Sequence, residues 1–473
     1  MSALGIRHWT ARRGLPVLSV VLAVLLGIAV VVGPEQTVVS TLILVFAVAA
    51  VVWPDRAFVA LAAMTILQST VARLVGQASV LGVQVMRADD YLLVWLAFGC
   101  VLHVALERRE LKLPLWRPAA LVAAAGLASG LLAGVPLALL VPGAYLALKF
   151  WVLIVIGVNS VRQETASLAG WAIGITSIVA LAVGALEFAG PTIVRSLLPG
   201  FSSGMYRLGL PAVQSLFPHP GVYGWFMAFS SLAALALWMR GGRSRYLVGS
   251  LACAAGAVLS LRLKPLLGLL FAALLGLLLL APPRRRALQL SLGVAVLMLA
   301  LGSVASSVVG VQIQTYTGAD AGGNARNALY RGSLEIARDN FPVGVGFGRF
   351  GSYLSVVDYS PVYEAYGLST VWGLSRSYSA FAMDTTWPSI LGEGGWIAVV
   401  GFMWLLGVAF TIVLTAARNV QLKAEVRVVA TVGVLVLLEA LAESVGAPVF
   451  TQQPMAILLA FPVSYVLASE QWQ

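Results

Sequence analysis

About fourteen apolar segments, each close to the roughly 20 residues that a helix needs to cross a bilayer, determine the fold class of this chain. Of its 473 residues, 60% are hydrophobic and 10% are charged, which differs strongly from the usage of soluble domains. We therefore predict an all-α polytopic membrane protein with about 12–14 transmembrane helices. The segments are 15–33, 37–53, 57–75, 90–106, 118–140, 142–160, 166–188, 220–239, 246–262, 264–282, 287–310, 388–415, 428–446 and 448–468.

The basic residues lie in short clusters between these segments. A net charge of +11 could suggest nucleic acid as a partner, but short basic clusters are typical of topology determinants, so we predict no nucleic-acid binding. Cys100 and Cys253 lie inside apolar runs, which disfavours a disulfide framework or a zinc site. The first apolar run, Leu15 to Gly33, follows basic residues but has no small-residue cleavage site after it, so we expect a transmembrane helix with a cytoplasmic N-terminus.

Loops rich in Lys and Arg are expected on the cytoplasmic side. When the segments are counted in order, four clusters fall on the side of the N-terminus. They are Arg108, Arg109, Lys112 and Arg117; Arg240, Arg243 and Arg245; Arg284, Arg285 and Arg286; and Arg418, Lys423 and Arg427. The other polar segments are then predicted to face outward: 76–89, 190–219, 262–264, 311–386 and 446–448.

This topology divides the chain into four parts. We predict N-terminal transmembrane helices over 1–189, central helices over 190–310 with an outer loop at 190–219, a large extracytoplasmic loop over 311–386, and C-terminal helices over 387–473. The outward charges do not follow from the positive-inside rule. We expect them to bind anionic partners.

The large loop carries a predicted amphipathic helix and a glycine-rich turn. Apolar residues at helical spacing from Ala328 to Ala337 alternate with charges, and Asn340-Phe-Pro342 is expected to end this helix. The run Gly344-Val-Gly346-Phe-Gly348 follows. No strand precedes it, so a dinucleotide fingerprint is disfavoured, and we predict a turn that packs the loop against the helix ends.

These motifs resemble the O-antigen ligase and polymerase superfamily of membrane glycosyltransferases. The resemblance rests on Arg326, on Tyr330 four residues later, where the family usually has tryptophan, and on the P-x-G-x-G-x-G turn from Pro342 to Gly348. Further on, Leu391-Gly-Glu393-Gly-Gly395 resembles the family's L-x-E-x-G, and Asp384 stands where the family commonly has histidine. Ser260-Leu-Arg262-Leu-Lys264 and Phe217-Pro-His219-Pro220 resemble two further helix entries of the family, so the resemblance covers about 190–415.

The resemblance implies a GT-C-like fold and a donor glycan linked to undecaprenyl diphosphate. Its implied partners are that donor, a glycan acceptor, the lipid bilayer, and chain-length regulator and flippase proteins; it implies no cofactor and no metal. It places the protein in a bacterial cytoplasmic membrane, with the site facing the periplasm or exterior. The implied catalytic residues are Asp384, Arg326 and Arg262. The implied substrate-binding residues are Arg331, Arg207, Lys264, Tyr330, His219, Glu393 and Arg349.

The residue chemistry agrees with these roles but leaves alternatives. The planar fork of arginine binds phosphate in a bidentate manner, although Arg262 could instead snorkel to headgroups, and Arg326 or Arg331 could lie on a solvated helix face. Asp384 could accept the proton of an acceptor hydroxyl or cap the helix that begins near Pro388. Glu393, one turn inside that helix, is expected to be a structural group that can orient an arginine.

Several other polar and aromatic residues lie in or next to apolar segments. Glu439 and Glu443, four residues apart on one helix face, could pair with the arginines or carry protons, and Gln452 and Gln453 are unusual in a membrane. For Asp89 and Asp90 a topological or capping role is favoured over metal binding. The aromatic run predicts an interfacial belt, with a glycan-lining lid as the alternative. The run comprises Tyr359, Tyr363, Tyr366, Trp372, Tyr378 and Phe381.

We therefore expect a polysaccharide polymerase that transfers glycan repeats from the lipid diphosphate at the outer face of the membrane. An O-antigen ligase is the alternative within the family, and the aspartate at position 384 tilts the choice toward polymerase. A lipid-linked glycan flippase or secondary transporter, which would show inverted repeats, is the alternative from another class. A third possibility, an assembly scaffold, would tolerate neutralised charges at Arg262 and Asp384.

Overall fold

The computed structural model describes residues 34–76, 80–197, 206–207, 209–280, 288 and 324–469. The predicted segments at 15–33 and 287–310 and the cluster Arg284–Arg286 lie outside these ranges, apart from Leu288. The helices of the described part are α1 (Pro34–Val52), α2 (Pro54–Leu74), α3 (Val80–Met86), α4 (Ala88–Leu106), α5 (Trp116–Leu132), α6 (Leu137–Ser160), α7 (Thr165–Ala189), α8 (Pro191–Leu197), α9 (Pro220–Gly241), α10 (Ser244–Leu259), α11 (Leu263–Leu280), α12 (Ala325–Asp339), α13 (Tyr353–Val357), α14 (Val362–Ala365), α15 (Trp387–Arg418), α16 (Ala424–Glu443) and α17 (Met455–Ala468).

Seven of the described helices are long and apolar enough to cross a membrane: α2, α4, α6, α7, α9, α11 and α15. The shorter helices α5, α10 and α17 are also apolar. Large apolar side chains on the helix exteriors, such as Leu132, Trp171 and Leu278, are more than two thirds exposed. Such an exterior suits lipid rather than water, so the prediction of a helical polytopic membrane protein is confirmed.

Some predicted boundaries were wrong because turn residues shift them. The predicted segment 118–140 is divided: α5 ends at Leu132, Gly134 adopts a φ of +66°, and α6 begins after Pro136. Pro142 lies inside α6 and does not end it. The last helix begins at Met455 and not at 448, because Pro448 and Pro454 keep the preceding residues in turns.

The helices form a bundle with polar residues at both ends. The basic clusters around Arg240 and Arg418 lie at the end opposite the loop 324–386. α5 packs on α15, α11 on α16, and α6 on α17. At one end, Arg240 donates to Thr431 Oγ1 over 2.8 Å and to the Ala417 carbonyl over 2.7 Å, and Arg418 donates to the Leu279 carbonyl over 2.8 Å. The other end, where α9, α11 and α15 begin, holds the loop described next.

Residues 324–386 form a small helical unit with a hydrophobic core of its own. Asn324 caps α12 by accepting from the Arg326 N–H over 3.0 Å, and the helix ends at Asp339, as the amphipathic pattern and Pro342 predicted. Leu329, Ile336, Phe350 and Leu374 are fully buried in this core, which also contains α13, α14 and a 3₁₀ turn at Leu368–Thr370.

The prediction of an interfacial belt was wrong for Tyr363. This side chain is fully buried, stacks on Phe350 at 5.5 Å between ring centroids, and accepts from the Gly351 N–H through its hydroxyl oxygen. Trp372 and Tyr378, by contrast, are 69% and 45% exposed. The aromatic run therefore contributes both core and surface.

The segment before α9 contains a short β-hairpin. Its two-residue strands, Tyr206–Arg207 and Leu210–Pro211, pair in antiparallel orientation. Glu187, fully buried in α7, holds this segment by accepting from the backbone N–H groups of Gln214 and Ser215 at 3.0 and 2.8 Å. Arg195 completes the arrangement with a 3.2 Å ion pair to the same carboxylate. These contacts fix the chain that leads into His219.

Candidate active site

The glycine turn of the loop joins α15 at a break in that helix. Gly395 has φ +68° and ψ −162°, which interrupts the helical hydrogen bonds. The carbonyls of Gly392 and Glu393, freed by the break, accept from the N–H groups of Val345 and Gly346 at 2.9 Å each. The two glycine motifs are therefore complementary halves of one joint, and the prediction that the turn packs the loop against helix ends is confirmed.

Glycine is required in this joint for two reasons. Gly346 and Gly348 have φ values of +91° and +80°, which residues with a Cβ rarely adopt. Gly344 has no positive φ, but a Cβ there would overlap the backbone of Gly392 and Glu393. The Ser129 hydroxyl of α5 also donates to the Gly344 carbonyl.

Glu393 holds the loop from inside the bundle. Its carboxylate, 3% exposed, accepts from the Phe350 N–H over 3.0 Å and from the Ser352 hydroxyl over 2.6 Å. The prediction of a structural role for this residue is therefore confirmed. Glu393 positions the turn that follows Gly348 through Phe350 and Ser352 and not through an arginine side chain.

The joint places Asp384 beside Arg326. Arg326, in the first turn of α12, forms an ion pair through Nη2 with Asp384 Oδ2. The Arg326 side chain is 16% exposed and that of Asp384 is 37% exposed. The cap position of α15 is Thr386, and no side chain caps it, so the alternative in which Asp384 is the helix cap is wrong.

Arg262 meets His219 at the neighbouring helix starts. Arg262 lies between α10 and α11, after Leu261, whose φ is +50°. Its Nη2 lies 2.9 Å from His219 Nε2, while His219 Nδ1 lies 3.0 Å from the Gly221 N–H. Both neighbours are donors, and a neutral imidazole has one lone pair, so it accepts from only one of them at a time.

The protonation state of His219 follows from its surroundings. Burial first, and then the positive charges of Arg262, Lys264 and Arg207, lower its pKa to about 4. The ring is therefore neutral at neutral pH and adds no positive charge to the cations around it.

Lys264 links the two arginine contacts. Its Nζ donates to the Gly446 carbonyl, just beyond the end of α16. It lies within electrostatic range of Arg326, Asp384, Glu443 and Arg262. The structure thus brings together Arg262, Lys264, Arg326, His219 and Asp384, which we call the cationic cluster.

Two further predicted residues lie at the edge of the cationic cluster. Arg207 approaches the Leu261 carbonyl through Nη1 at 3.4 Å. Tyr330, one turn beyond Arg326 on α12, donates its hydroxyl to the Val445 carbonyl over 2.9 Å, and burial raises its pKa. Tyr330 therefore fastens α12 to the end of α16, next to Gly446.

Arg331 and Arg349 are placed differently. Arg331 is exposed on α12, five residues after Arg326 and so about 140° around the helix from it. Arg349 is half-buried in the glycine turn, and its Nε has no hydrogen-bond partner among the residues that the structure describes. We therefore centre the candidate site on the cationic cluster.

The predicted carboxylate pair of α16 lies deeper in the bundle. Glu439 and Glu443 are 0% and 4% exposed. The two carboxyl groups interact with each other, and Trp225 interacts with Glu439. Gly268 of α11 lies against Glu439. Among the residues that the structure describes, neither carboxyl group pairs with an arginine, whereas Lys264 is in electrostatic range of Glu443.

Sequence reasoning missed one group of residues near the site. Lys149, 3% exposed in the middle of α6, forms a 2.8 Å ion pair with Asp90. The hydroxyl of Tyr145 lies 3.2 Å from the same carboxylate, and Gln68 Nε2 donates to Asp89 over 2.9 Å. The roles of Asp89 and Asp90 thus go beyond capping. A lysine inside an apolar run was the signal, because intramembrane charge is a functional hypothesis by default.

In comparisons with known proteins, no protein-family model matches the chain and no curated protein matches it.

Proposed function

We propose that this protein is a membrane glycosyltransferase that resembles O-antigen polymerases and ligases and uses a donor glycan linked to a polyprenyl diphosphate. The observation that carries the proposal is the cationic cluster, in which Arg326 is paired with Asp384 and lies in electrostatic range of Lys264. Cationic side chains outnumber carboxylates there, and they gather where α9, α11 and α15 begin. Such a cluster suits an anionic ligand with several oxygens.

In the proposed reaction the cluster holds the diphosphate and Asp384 acts on the acceptor. The acceptor hydroxyl attacks the anomeric carbon of the donor sugar, and a new carbon–oxygen bond forms. The bond between that carbon and the phosphate oxygen breaks, and the diphosphate leaves with the electron pair. Asp384 accepts the proton of the acceptor hydroxyl, and Arg326 and Arg262 stabilise the charge that develops on the leaving group.

The ion pair between Arg326 and Asp384 supports a coupling of these two roles. A diphosphate that binds Arg326 competes with the carboxylate for the same guanidinium. Asp384 is then released to face the acceptor hydroxyl only when the donor is present. Arg262 and the Gly221 N–H compete for the one lone pair of the neutral His219 ring, so a phosphate oxygen can take the place of the imidazole beside Arg262.

The location of the protein belongs to the same proposal. We infer a bacterial cytoplasmic membrane, a GT-C-like arrangement, and a cationic cluster on the periplasmic or exterior side. The support is that Arg240 and Arg418, from clusters predicted to be cytoplasmic, make their contacts at the end of the bundle opposite the cationic cluster.

The test is turnover of a synthetic repeat linked to undecaprenyl diphosphate by the purified protein, in EDTA. Wild type should transfer the glycan, and Asp384→Asn and Arg326→Ala should each lose at least about a hundredfold in rate. Arg338→Ala is the matched control, since it removes an exposed arginine without an assigned role from the same helix. Product ladders indicate a polymerase and a single transfer to a different acceptor indicates a ligase. Intact substrate carried across vesicle membranes would support a transporter instead.

A further inference from the structure

A cavity of about 620 Å³ lies beside the cationic cluster, between α2, α4, α6 and the glycine turn. Its volume falls in the range of about 300–1,000 Å³ that is usual for small-molecule sites. The polar side chains that line it include Gln68, Asp89, Asp90, Lys149, Thr385, Ser389, Gln452 and Gln453. The cavity therefore has a polar wall at a position where the surrounding helices are apolar.

The wall carries three carboxylates and two cations, Asp89, Asp90 and Glu393 against Arg87 and Lys149, so its net charge is small. Lys149 is neutralised by Asp90 through the 2.8 Å ion pair, and Asp89 accepts from the Gln68 amide. The remaining charged residues of the lining are Arg87 and Glu393, of which Glu393 is held by Phe350 and Ser352. Carboxylates and amides that are held in place in this way offer hydrogen bonds to neutral hydroxyl groups.

Two polar groups at the cavity are unsatisfied. Thr385 is 1% exposed, and its hydroxyl oxygen has no hydrogen-bond partner among the described residues. Gln453 Nε2 is also buried without a partner in the same part of the chain. Buried polar groups are normally paired, so these two indicate a ligand that completes their hydrogen bonds.

Residues that line the cavity are next to residues of the cationic cluster in the sequence. Met383 and Thr385, which line the cavity, flank Asp384 in the sequence. Phe217 and Pro218 line it and precede His219, and Pro448 lies two residues beyond Gly446. A ligand in the cavity is thus adjacent to Asp384 and separate from Arg262 and Arg326, which do not line it.

We propose that this cavity binds the uncharged, hydroxyl-rich part of the acceptor glycan next to Asp384. This inference rests on the proposed function. The donor has a diphosphate that the cationic cluster can hold, but a neutral acceptor sugar needs a surface of neutral and paired polar groups. The volume admits a short glycan segment, so the cavity selects the sugars nearest the acceptor hydroxyl.

The experiment measures binding of two probes to the full chain in nanodiscs. One probe is a tritium-labelled glycan, released by mild acid from the lipid-linked glycans in membranes of the organism that encodes this protein. The other probe is undecaprenyl diphosphate without sugar. The cavity variant combines Thr385→Val, which keeps the side-chain shape, with Gln452→Ala, which alters an exposed side chain. Thr411→Val, at an exposed position of α15, is the matched control.

We expect the cavity variant to bind the glycan about tenfold more weakly and the lipid diphosphate as wild type does, because only hydrogen bonds to the glycan are lost. Arg326→Ala should show the reverse, and Thr411→Val should match wild type with both probes. Glycan binding that is absent in wild type, unchanged in the cavity variant, or lost equally in Arg326→Ala would overturn the inference. Glycan binding with the expected pattern but no turnover would leave the cavity assignment standing and overturn the proposed glycosyltransferase activity.

Discussion

Arg326 and Asp384 form an ion pair although they lie 58 residues apart in the sequence. Arg326 is in the first turn of α12, at the start of the loop unit, and Asp384 is at its end, two residues before the cap of α15. The contact therefore closes the loop unit at the point where it meets the bundle. Any ligand that displaces Asp384 from Arg326 breaks the contact between the two ends of this unit.

The first prediction follows from that competition. In Asp384→Asn, Arg326 has no carboxylate partner at this position, so a diphosphate no longer has to displace one. A partly exposed ion pair contributes up to about 1 kcal/mol, which corresponds to a roughly fivefold change in affinity. We expect the variant to bind undecaprenyl diphosphate about fivefold more tightly than wild type while it loses turnover, as measured by equilibrium binding in nanodiscs.

Asp358→Asn is the control for this binding experiment. It removes an exposed carboxylate from the same loop unit, so it reports the general effect of one negative charge fewer. If both variants tighten binding equally, the gain comes from overall charge. If Asp384→Asn weakens binding, Asp384 supports the anion site and does not compete with it.

The second prediction concerns the break in α15. An alanine at Gly395 would adopt an unfavourable φ of +68°, and its Cβ would overlap the backbone of Val343. Left-handed backbone alone costs roughly 1–2 kcal/mol for a residue with a Cβ, and the overlap separates the glycine turn from α15. We expect Gly395→Ala to lower the thermal unfolding midpoint of the detergent-solubilised protein by several degrees and to abolish turnover.

Gly407→Ala provides the comparison, because it lies in the same helix and nothing lies within 4 Å of its added Cβ. Alanine favours helix by about 1 kcal/mol over glycine, so this variant should be as stable as wild type or slightly more stable. Equal midpoints for the two variants would show that the joint at Gly395 is not needed for folding.

The third prediction separates structure from chemistry at Glu393. Glutamine keeps an oxygen that can accept from the Phe350 N–H and the Ser352 hydroxyl, whereas alanine leaves both donors without it. Unsatisfied buried donors cost about 1–3 kcal/mol each. We expect Glu393→Ala to destabilise the protein strongly and Glu393→Gln to retain most of its stability and turnover, as read from unfolding midpoints and donor consumption.

A folded Glu393→Gln variant without turnover would contradict this assignment. The charge of the carboxylate, and not its hydrogen bonds to the turn, would then be needed for the reaction. Ser352→Ala, which removes one of the two donors, is expected to resemble Glu393→Gln.

The sequence predicted the helical elements of the site better than the contacts between them. The length of an apolar segment predicts a membrane helix. The amphipathic pattern from Ala328 to Ala337, followed by Pro342, predicts α12 and its end. Both signals are local. The glycine joint depends on Gly392 and Glu393 carbonyls that only a break at Gly395 releases, and a glycine in a helical run does not by itself predict such a break.

The roles of the carboxylates were the hardest to predict. Asp384 lies near a helix start, where capping is the common role, and only the fold brings Arg326 to it across 58 residues. Asp90 and Lys149 are 59 residues apart and pair through packing of α4 near α6. Partners at such distances are not encoded in local spacing, although an isolated lysine in an apolar run indicates that a partner exists.

The fourth prediction uses the pH dependence of His219. An unperturbed histidine has a pKa near 6.5, and burial together with Arg262, Lys264 and Arg207 lowers that of His219 to about 4. Above about pH 6.5 the ring is neutral in the folded and the unfolded chain, so its contribution does not change with pH. Between about pH 6.5 and 4 only the unfolded chain binds the proton, so the free energy of unfolding decreases as the pH falls.

The stability lost through His219 amounts to about 1.4 kcal/mol per pH unit, and to about 3 kcal/mol at most by pH 4. We expect the thermal unfolding midpoint of wild type in nanodiscs to fall across this window and that of His219→Asn to fall less, because asparagine can still cap α9 but takes up no proton. His103→Asn is the control, since His103 lies at the end of α4 beside Glu107, away from the cationic cluster. A decline in His219→Asn as steep as in wild type would show that other groups cause the acid sensitivity and that the imidazole is not held neutral by its cationic neighbours.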